Sequence, residues 1–168
     1  MFDKLRKLRD KGYYPDTVFD IGACHGNWTA ECLRLYGSAN YFLFEAIDYA
    51  ELKRFHSEKI KVFNVLLNDE IKEVDWYEMR NTGDSMFKEL NTPYIDCIPF
   101  KKMSYPLNAI LQEQNIVSES KNILIKIDCQ GAEIPILKGA STILDRTDFI
   151  ILEIPLFGQY NTGVPNFL

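Results

Sequence analysis

The chain of 168 residues has only two histidines, His25 and His56, and its four cysteines, Cys24, Cys32, Cys97 and Cys129, form no C-x-x-C pair. Zinc sites are built on such spacings, so no zinc ligand set is present. With no secretory pattern and no cysteine framework, the expected setting is cytoplasmic with reduced thiols. Cys24 and Cys129 read as small packing residues, because no fixed base lies near either in sequence. Positive charge is also in short supply: 19 Lys and Arg stand against 24 Asp and Glu, a formal net charge of −5. General nucleic-acid binders carry a basic surplus, so that class is set aside. The one basic cluster, Lys4, Arg6, Lys7, Arg9 and Lys11, reads as the solvated face of a short helix whose apolar side is Phe2, Leu5 and Leu8. No apolar run has the length of a membrane span, so no membrane partner is expected.

What is present is an ordinary globular composition, 46% hydrophobic and 26% charged. The length suggests one domain, residues 1–168, able to bury a core without disulfides. Short apolar runs alternate with helical patterns. Residues 17–20, 41–45, 60–67, 123–127 and 149–152 read as strands. Their runs are continuous rather than alternating, as in a parallel sheet covered on both faces. Residues 28–36, 48–56, 106–114 and 132–144 read as helices, with Pro106 and Pro135 placed where a first turn tolerates proline. The middle breaks this rhythm. Glu73–Met79 alternates like a half-exposed antiparallel strand, Arg80–Ser85 is a polar loop, and Tyr94–Phe100 is a further candidate strand. The tail from Pro155 to Leu168 reads as loop.

The segment VFDIGACHG, Val18–Gly26, is the most informative one. An apolar strand ends in Asp20, glycines follow at Gly22 and Gly26, and a helix begins. Glycine there permits positive φ and close approach of a ligand to backbone. A dinucleotide turn has the spacing G-x-G-x-x-G. Here the spacing is D-x-G-x-x-x-G, which argues against NAD. A carboxylate beside glycines suits a ligand carrying an ammonium or sulfonium.

Four strands end in an acid: Asp20, Glu45, Asp128 and Glu153. In open parallel sheets ligands bind outside the carboxyl ends of the strands. Acids also cap helices in such loops, but four of five strand ends favours a site. Glu45 follows Gly26 at the spacing of about 20 residues where an acid holds a ribose diol. It supports an adenosine ligand.

With these pieces in place, the chain resembles the FkbM family of S-adenosylmethionine-dependent methyltransferases over almost its whole length. VFDIGACHGNWT is similar to the family's first motif, D-I-G-A-N-x-G followed by Thr. FLFEA is similar to F-E-P, NTGDS to the small Gly/Ser segment of the middle insertion, and IILEI to the fifth strand. LIKIDCQGAEIPILKGA carries the most specific stretch, K-x-D-x-x-G-x-E followed by Leu-x-Gly-Ala. Cys24 stands in place of Asn, Ala46 in place of Pro, and Asn108 in place of Asp.

The resemblance implies an α/β fold: a Rossmann-like class I methyltransferase sheet, mostly parallel, with core order 3-2-1-4-5. It implies an antiparallel β insertion at about residues 70–105, between strands 3 and 4. Strands 6 and 7 of that class are expected to be absent from this sequence, either naturally short or truncated, because only residues 154–168 follow Glu153. The expectation that follows is a fifth-strand edge covered by the tail or by a second copy in a homo-oligomer. By the same resemblance Asp20, Gly22, Ala23 and Gly26 cradle the methionine end of S-adenosylmethionine. Glu45 and Ala46 meet the ribose, and Leu66 lies against the adenine.

Methyl transfer to a hydroxyl needs positioning and removal of a proton. Asp128 is the first candidate for that proton and Glu133 the second. Ser85, Lys126 and Glu153 are expected to face the acceptor, a saccharide or other small molecule. A buried Lys126 needs a carboxylate partner, and Glu153 or Asp128 is the expected one. Asp128, Glu133 and Glu153 are the oxygen set that a magnesium ion would take; a metal is not favoured, and none of them is assigned as a ligand. The reading is an O-methyltransferase. The alternative is a non-catalytic module that binds an adenosyl ligand.

Overall fold

The computed structural model describes residues 1–90, 94–116, 121–154 and 161–164. In chain order its first elements are α1 (Phe2–Asp10), β1 (Thr17–Ile21), α2 (Asn27–Leu35), β2 (Asn40–Glu45) and β3 (Ile60–Asn64). Then come β4 (Leu66–Asn68), β5 (Lys72–Trp76), β6 (Phe100–Pro106) and α3 (Leu107–Glu113). The last are β7 (Ile123–Ile127), α4 (Glu133–Gly139), α5 (Ser141–Leu144) and β8 (Thr147–Leu152). They make two compact units. One holds α1, α2 and β1–β3 with nearly all of β7 and β8; the other holds β4–β6, α3–α5 and the turns after β7 and β8.

The five-stranded sheet has the order β3-β2-β1-β7-β8, which is the expected 3-2-1-4-5. β1 runs parallel to β2 and β2 to β3, with Val18 opposite Tyr41 and Tyr41 opposite Ile60. Every residue of β1 and β7 is buried, as their mainly apolar, non-alternating runs imply for strands covered on both faces. Phe19 stacks on Phe42 and Phe44, and Phe44 on Phe63, with ring centroids 4.9–6.3 Å apart. This aromatic row crosses three strands and fixes their register. α1 is tied down by its buried Leu5, whose carbonyl accepts the Tyr36 hydroxyl at 2.9 Å.

The second unit contains a three-stranded sheet, β4-β6-β5, in which β6 is parallel to β4 and antiparallel to β5. This is the antiparallel insertion in its observed form. Four sequence expectations are corrected. The single strand read over 60–67 is two strands, β3 and β4, which separate at Val65 and enter different sheets. The run IKVFNVLL, apolar but for Lys61 and Asn64, carries no mark of a change of sheet. The strand read over Tyr94–Phe100 begins only at Phe100; Tyr94–Asp96 is a 3₁₀ turn around a buried Tyr94. Pro99 has no N–H for a ladder, so pairing starts beyond it. The helix read over 132–144 is broken at Ala140 into α4 and α5. Residues 48–56 wind as the 3₁₀ helix Ala50–Phe55 rather than as an α-helix.

Asn108, one of the departures from the family pattern, caps that break. Its Oδ1 accepts the Thr142 N–H at 3.2 Å and the Thr142 hydroxyl at 2.6 Å, while its Nδ2 donates to the Ser141 hydroxyl at 2.9 Å. An amide serves both ends of this contact. Of the tail read as loop over 155–168, only 161–164 lie within the described residues. There the Asn161 amide donates to the Phe87 carbonyl and the Thr162 N–H to the Lys88 carbonyl, each at 2.8 Å.

Candidate functional site

In the first unit the turn after β1 holds three residues of positive φ: Gly22 at 74°, Cys24 at 49° and Gly26 at 77°. The N–H groups of Gly22 and Ala23 donate to the Phe44 carbonyl at 2.9 and 3.1 Å. The turn therefore folds back on the end of β2. Gly26 is required for space as well as for φ, since a Cβ there would lie 2.3 Å from the Phe55 ring. Ala23 and Ala46 are small and buried.

Glu45, at the tip of β2, is held by backbone. Its Oε2 accepts the Cys24 N–H at 2.7 Å and its Oε1 the Ile47 N–H at 3.0 Å. The Asn64 amide donates to its carbonyl at 3.0 Å. Burial pushes this carboxyl above its usual range, opposed by those N–H groups and by the charge of Lys126. A carboxylate gripped by one N–H per oxygen has a fixed plane and keeps further lone pairs for a diol.

Cys24 occupies the left-handed region that asparagine tolerates and most other side chains do not. The family's usual Asn is thus explained by backbone, and Cys24 keeps the same turn at some cost in strain. Cys24→Asn is expected to raise stability by about 0.5 kcal/mol, which is roughly one or two degrees in Tm. Thermal unfolding checks this; a lower Tm for the variant would show that the thiol packs better than the turn suggests.

Asp20 and Lys126 are placed differently from expectation. Lys126 is 3% exposed and Asp20 is fully buried. The Lys126 ammonium pairs with Asp20 Oδ1 at 3.1 Å, where Glu153 or Asp128 was the expected partner. It also donates to the Gly22 carbonyl at 2.7 Å and to the Ile21 carbonyl at 3.4 Å. The other Asp20 oxygen accepts the Thr29 hydroxyl at 2.5 Å. Strand order supplies the reason: β7 is the neighbour of β1.

In the second unit the segment after β7 makes a tight turn. Gln130 and Gly131 have φ of 50° and 104°. A Cβ on Gly131 would lie 2.5 Å from the Val164 side chain. Glu133 is fully buried and serves this turn: its carboxylate accepts the N–H of Cys129 at 3.1 Å and that of Gly131 at 3.0 Å. Burial is the largest effect on the Glu133 carboxyl and pushes it upward. Ser85 is also buried, donating to the Gln130 carbonyl at 2.8 Å and accepting the Phe87 N–H at 3.0 Å. Both residues hold backbone in place. Asp128 is half-buried, and its Oδ1 accepts the Gln130 side-chain amide at 3.1 Å. Leu66 is buried at the start of β4.

A cavity of about 410 Å³ opens in this unit, lined by Asn81, Thr82, Glu89, Tyr94, Gln130 and Glu153 around Gly83. A Cβ on Gly83 would lie 2.3 Å from the Glu89 carboxylate and 2.8 Å from the Tyr94 ring, so glycine is what lets these groups close together. The Tyr94 hydroxyl bonds Asn81 and Asp84. Of the residues expected to face an acceptor, Glu153 is in the lining, and Ser85 lies behind it through Gln130. Asn81, Glu89, Tyr94 and Gln130 were not singled out by sequence. Only the NTG turn and the glutamine inside KIDCQGAE pointed toward two of them. Asp128, Glu133 and Glu153 do not assemble as a metal site: among the described residues no group of three or more His, Cys, Asp or Glu is placed to hold an ion. Among the described residues no helix is long and apolar enough to cross a membrane.

These arrangements can be set beside known proteins. No curated protein matches the chain. A solved structure, a methyltransferase FkbM from Methylobacillus flagellatus KT, is 19% identical, with a TM-score of 0.46. That likeness spans 76% of this chain and 29% of the other. The family profile described as the methyltransferase FkbM domain matches residues 20–167. That range takes in the glycine turn, Glu45, the insertion and the turn after β7, and the chain belongs to the FkbM methyltransferase domain family.

Proposed function

We propose that the protein is an S-adenosylmethionine-dependent O-methyltransferase acting on a sugar-like or other small-molecule hydroxyl. The observation that carries the cofactor is Glu45, a carboxylate gripped by two backbone N–H groups beside a turn of three positive-φ residues. The donor set fits an adenosyl ligand. A planar, fixed carboxylate suits a ribose diol, and Gly22, Ala23, Gly26 and Ala46 keep the neighbouring surface free of bulk. Asp20 takes part from beneath the turn through Lys126 rather than by touching the ligand.

When bound, the cofactor supplies an electrophilic methyl group on a sulfonium. The protein's share is to align the acceptor oxygen and accept its proton. Asp128 is the group we assign to that proton. It is half-buried and its plane is fixed by the Gln130 amide. Glu133 is withdrawn from the chemistry, because its carboxylate is committed to the N–H groups of Cys129 and Gly131. We place the acceptor in the cavity around Gly83. Its lining of amides, hydroxyls and two carboxylates suits a polyol, and its size suits one small ring system.

Among the described residues neither Lys nor Arg lines that cavity. A neutral hydroxylated acceptor is therefore expected to outperform its carboxylate-bearing counterpart by about tenfold or more in kcat/KM, since like charges at short range cost at least that much. The experiment is calorimetry with S-adenosylmethionine, followed by methyl transfer to matched neutral sugars and uronic acids. Failure to bind S-adenosylmethionine would sink the proposal. Binding with no turnover on any hydroxyl would support the alternative, a module that holds an adenosyl ligand without catalysis. Preference for the uronic acids would move the acceptor out of this cavity.

A further inference from the structure

Lys126 lies in the middle of the sheet, within the run Ile123–Ile127, where every other side chain is isoleucine or leucine. A charge buried among them costs stability, and an apolar side chain of that length would pack there without the penalty. Its ammonium reaches Asp20 Oδ1 at 3.1 Å, the Gly22 carbonyl at 2.7 Å and the Ile21 carbonyl at 3.4 Å. We propose that Lys126 is a positioning residue for the cofactor, acting through the backbone of the glycine turn, with Asp20 and Thr29 as its anchor. The inference rests on the adenosyl site assigned above.

The argument runs through peptide planes. In a trans peptide the C=O of one residue and the N–H of the next point in opposite directions. Holding the Ile21 and Gly22 carbonyls on the ammonium turns the Gly22 and Ala23 N–H groups the other way. There they donate to the Phe44 carbonyl at 2.9 and 3.1 Å. The Ala23 carbonyl in turn accepts the Gly26 N–H at 2.8 Å, which orients the Cys24 N–H toward Glu45 Oε2 at 2.7 Å. One buried cation thus sets the direction of two successive peptide units, and the Gly26 N–H sets the third, which follows them and fixes the plane of the ribose-binding carboxylate. Gly22 and Gly26 supply the φ angles that this path requires. Asp20 keeps the ammonium in place. Thr29, fully buried in the first turn of α2, keeps Asp20 in place through a 2.5 Å bond. The same charge favours the ionised form of Glu45, consistent with service to that residue.

The test compares Lys126→Met with the double substitution Asp20→Asn/Lys126→Met in the full chain. Affinity for S-adenosylhomocysteine is read by calorimetry and Tm by thermal unfolding. The single variant leaves Asp20 as an unpaired buried carboxylate and is expected to lose both stability and affinity. The double variant removes both charges and is expected to recover Tm. Its affinity should stay about tenfold to a hundredfold below wild type, because the carbonyls are no longer held. In the double variant, the KM for S-adenosylmethionine should rise while the KM for the acceptor stays near the wild-type value. Recovery of affinity together with Tm would overturn the proposal and make the pair purely structural. A wild type that does not bind S-adenosylhomocysteine would overturn the adenosyl site itself, and this inference with it.

Discussion

Glu45→Ala is expected to weaken S-adenosylhomocysteine binding by about two orders of magnitude, close to 3 kcal/mol. Two losses add. The ribose diol loses its acceptor, and the Cys24 and Ile47 N–H groups lose the carboxylate that orders them, at 2.7 and 3.0 Å. An unmet buried donor costs about 1–3 kcal/mol, so Tm should fall as well. Glu45→Gln separates the two effects. Its single amide oxygen can keep one of the N–H groups, and its NH₂ would face the other. An intermediate affinity is expected, with a Tm nearer wild type. Calorimetry on the three proteins checks this. If the alanine variant binds as tightly as wild type, the adenosyl site is misplaced.

Gly139→Ala is expected to destabilise the fold by about 3 kcal/mol, lowering Tm by roughly 10 °C. Gly139 ends α4 where the helix meets β4 and the end of β6. A Cβ there would lie 2.2 Å from the Asn68 carbonyl oxygen and 3.1 Å from the Pro106 Cα. Both are backbone atoms, so no rotamer change relieves the contact, and the helix must move off the sheet. Gly12 provides the control. It has φ of 92°, but a Cβ on it meets nothing within 4 Å. Gly12→Ala should therefore cost only the strain of a left-handed residue, about 1 kcal/mol. Thermal unfolding of the two variants side by side is the measurement. Equal losses would mean that steric approach at α4 contributes nothing.

Much of the first sheet is legible in the sequence because its signals are local. β1, β2 and β7 are short, mainly apolar runs with an acid at or next to their C-terminal ends, and glycines mark the turn after β1. Lys126 stands out for the same reason, a charge inside such a run. Its partner does not, since the choice among Asp20, Asp128 and Glu153 depends on which strand lies beside β7, and that is a property of the whole sheet. The insertion is less legible. Val65 separates two sheets without any change of pattern, and Pro99 delays β6 in a stretch whose composition still favours a strand. Glu133 was a reasonable candidate for proton transfer, because a side chain that turns back to the N–H groups two and four residues earlier leaves no periodic trace. The cavity residues were hidden for another reason. Asn81, Glu89 and Tyr94 come from a loop and a 3₁₀ turn, and neither has a repeating pattern.

The carboxylate of Glu133, spent on the turn that precedes it, changes what the motif K-x-D-x-x-G-x-E tells a reader. Lys126 grips carbonyls, Gly131 makes room for Val164, Glu133 ties down two N–H groups, and Gly139 lets a helix touch a strand. Gly131, Glu133 and Gly139 are occupied with architecture. A descendant that had exchanged its acceptor would still need these three in order to fold. With the acceptor in the cavity around Gly83, as proposed, the letters that would register such a change are Asn81, Glu89 and Tyr94, which the signature omits. On that placement of the acceptor, kinship and specificity are written in different parts of this chain, and the motif that identifies the family is nearly silent about its substrate.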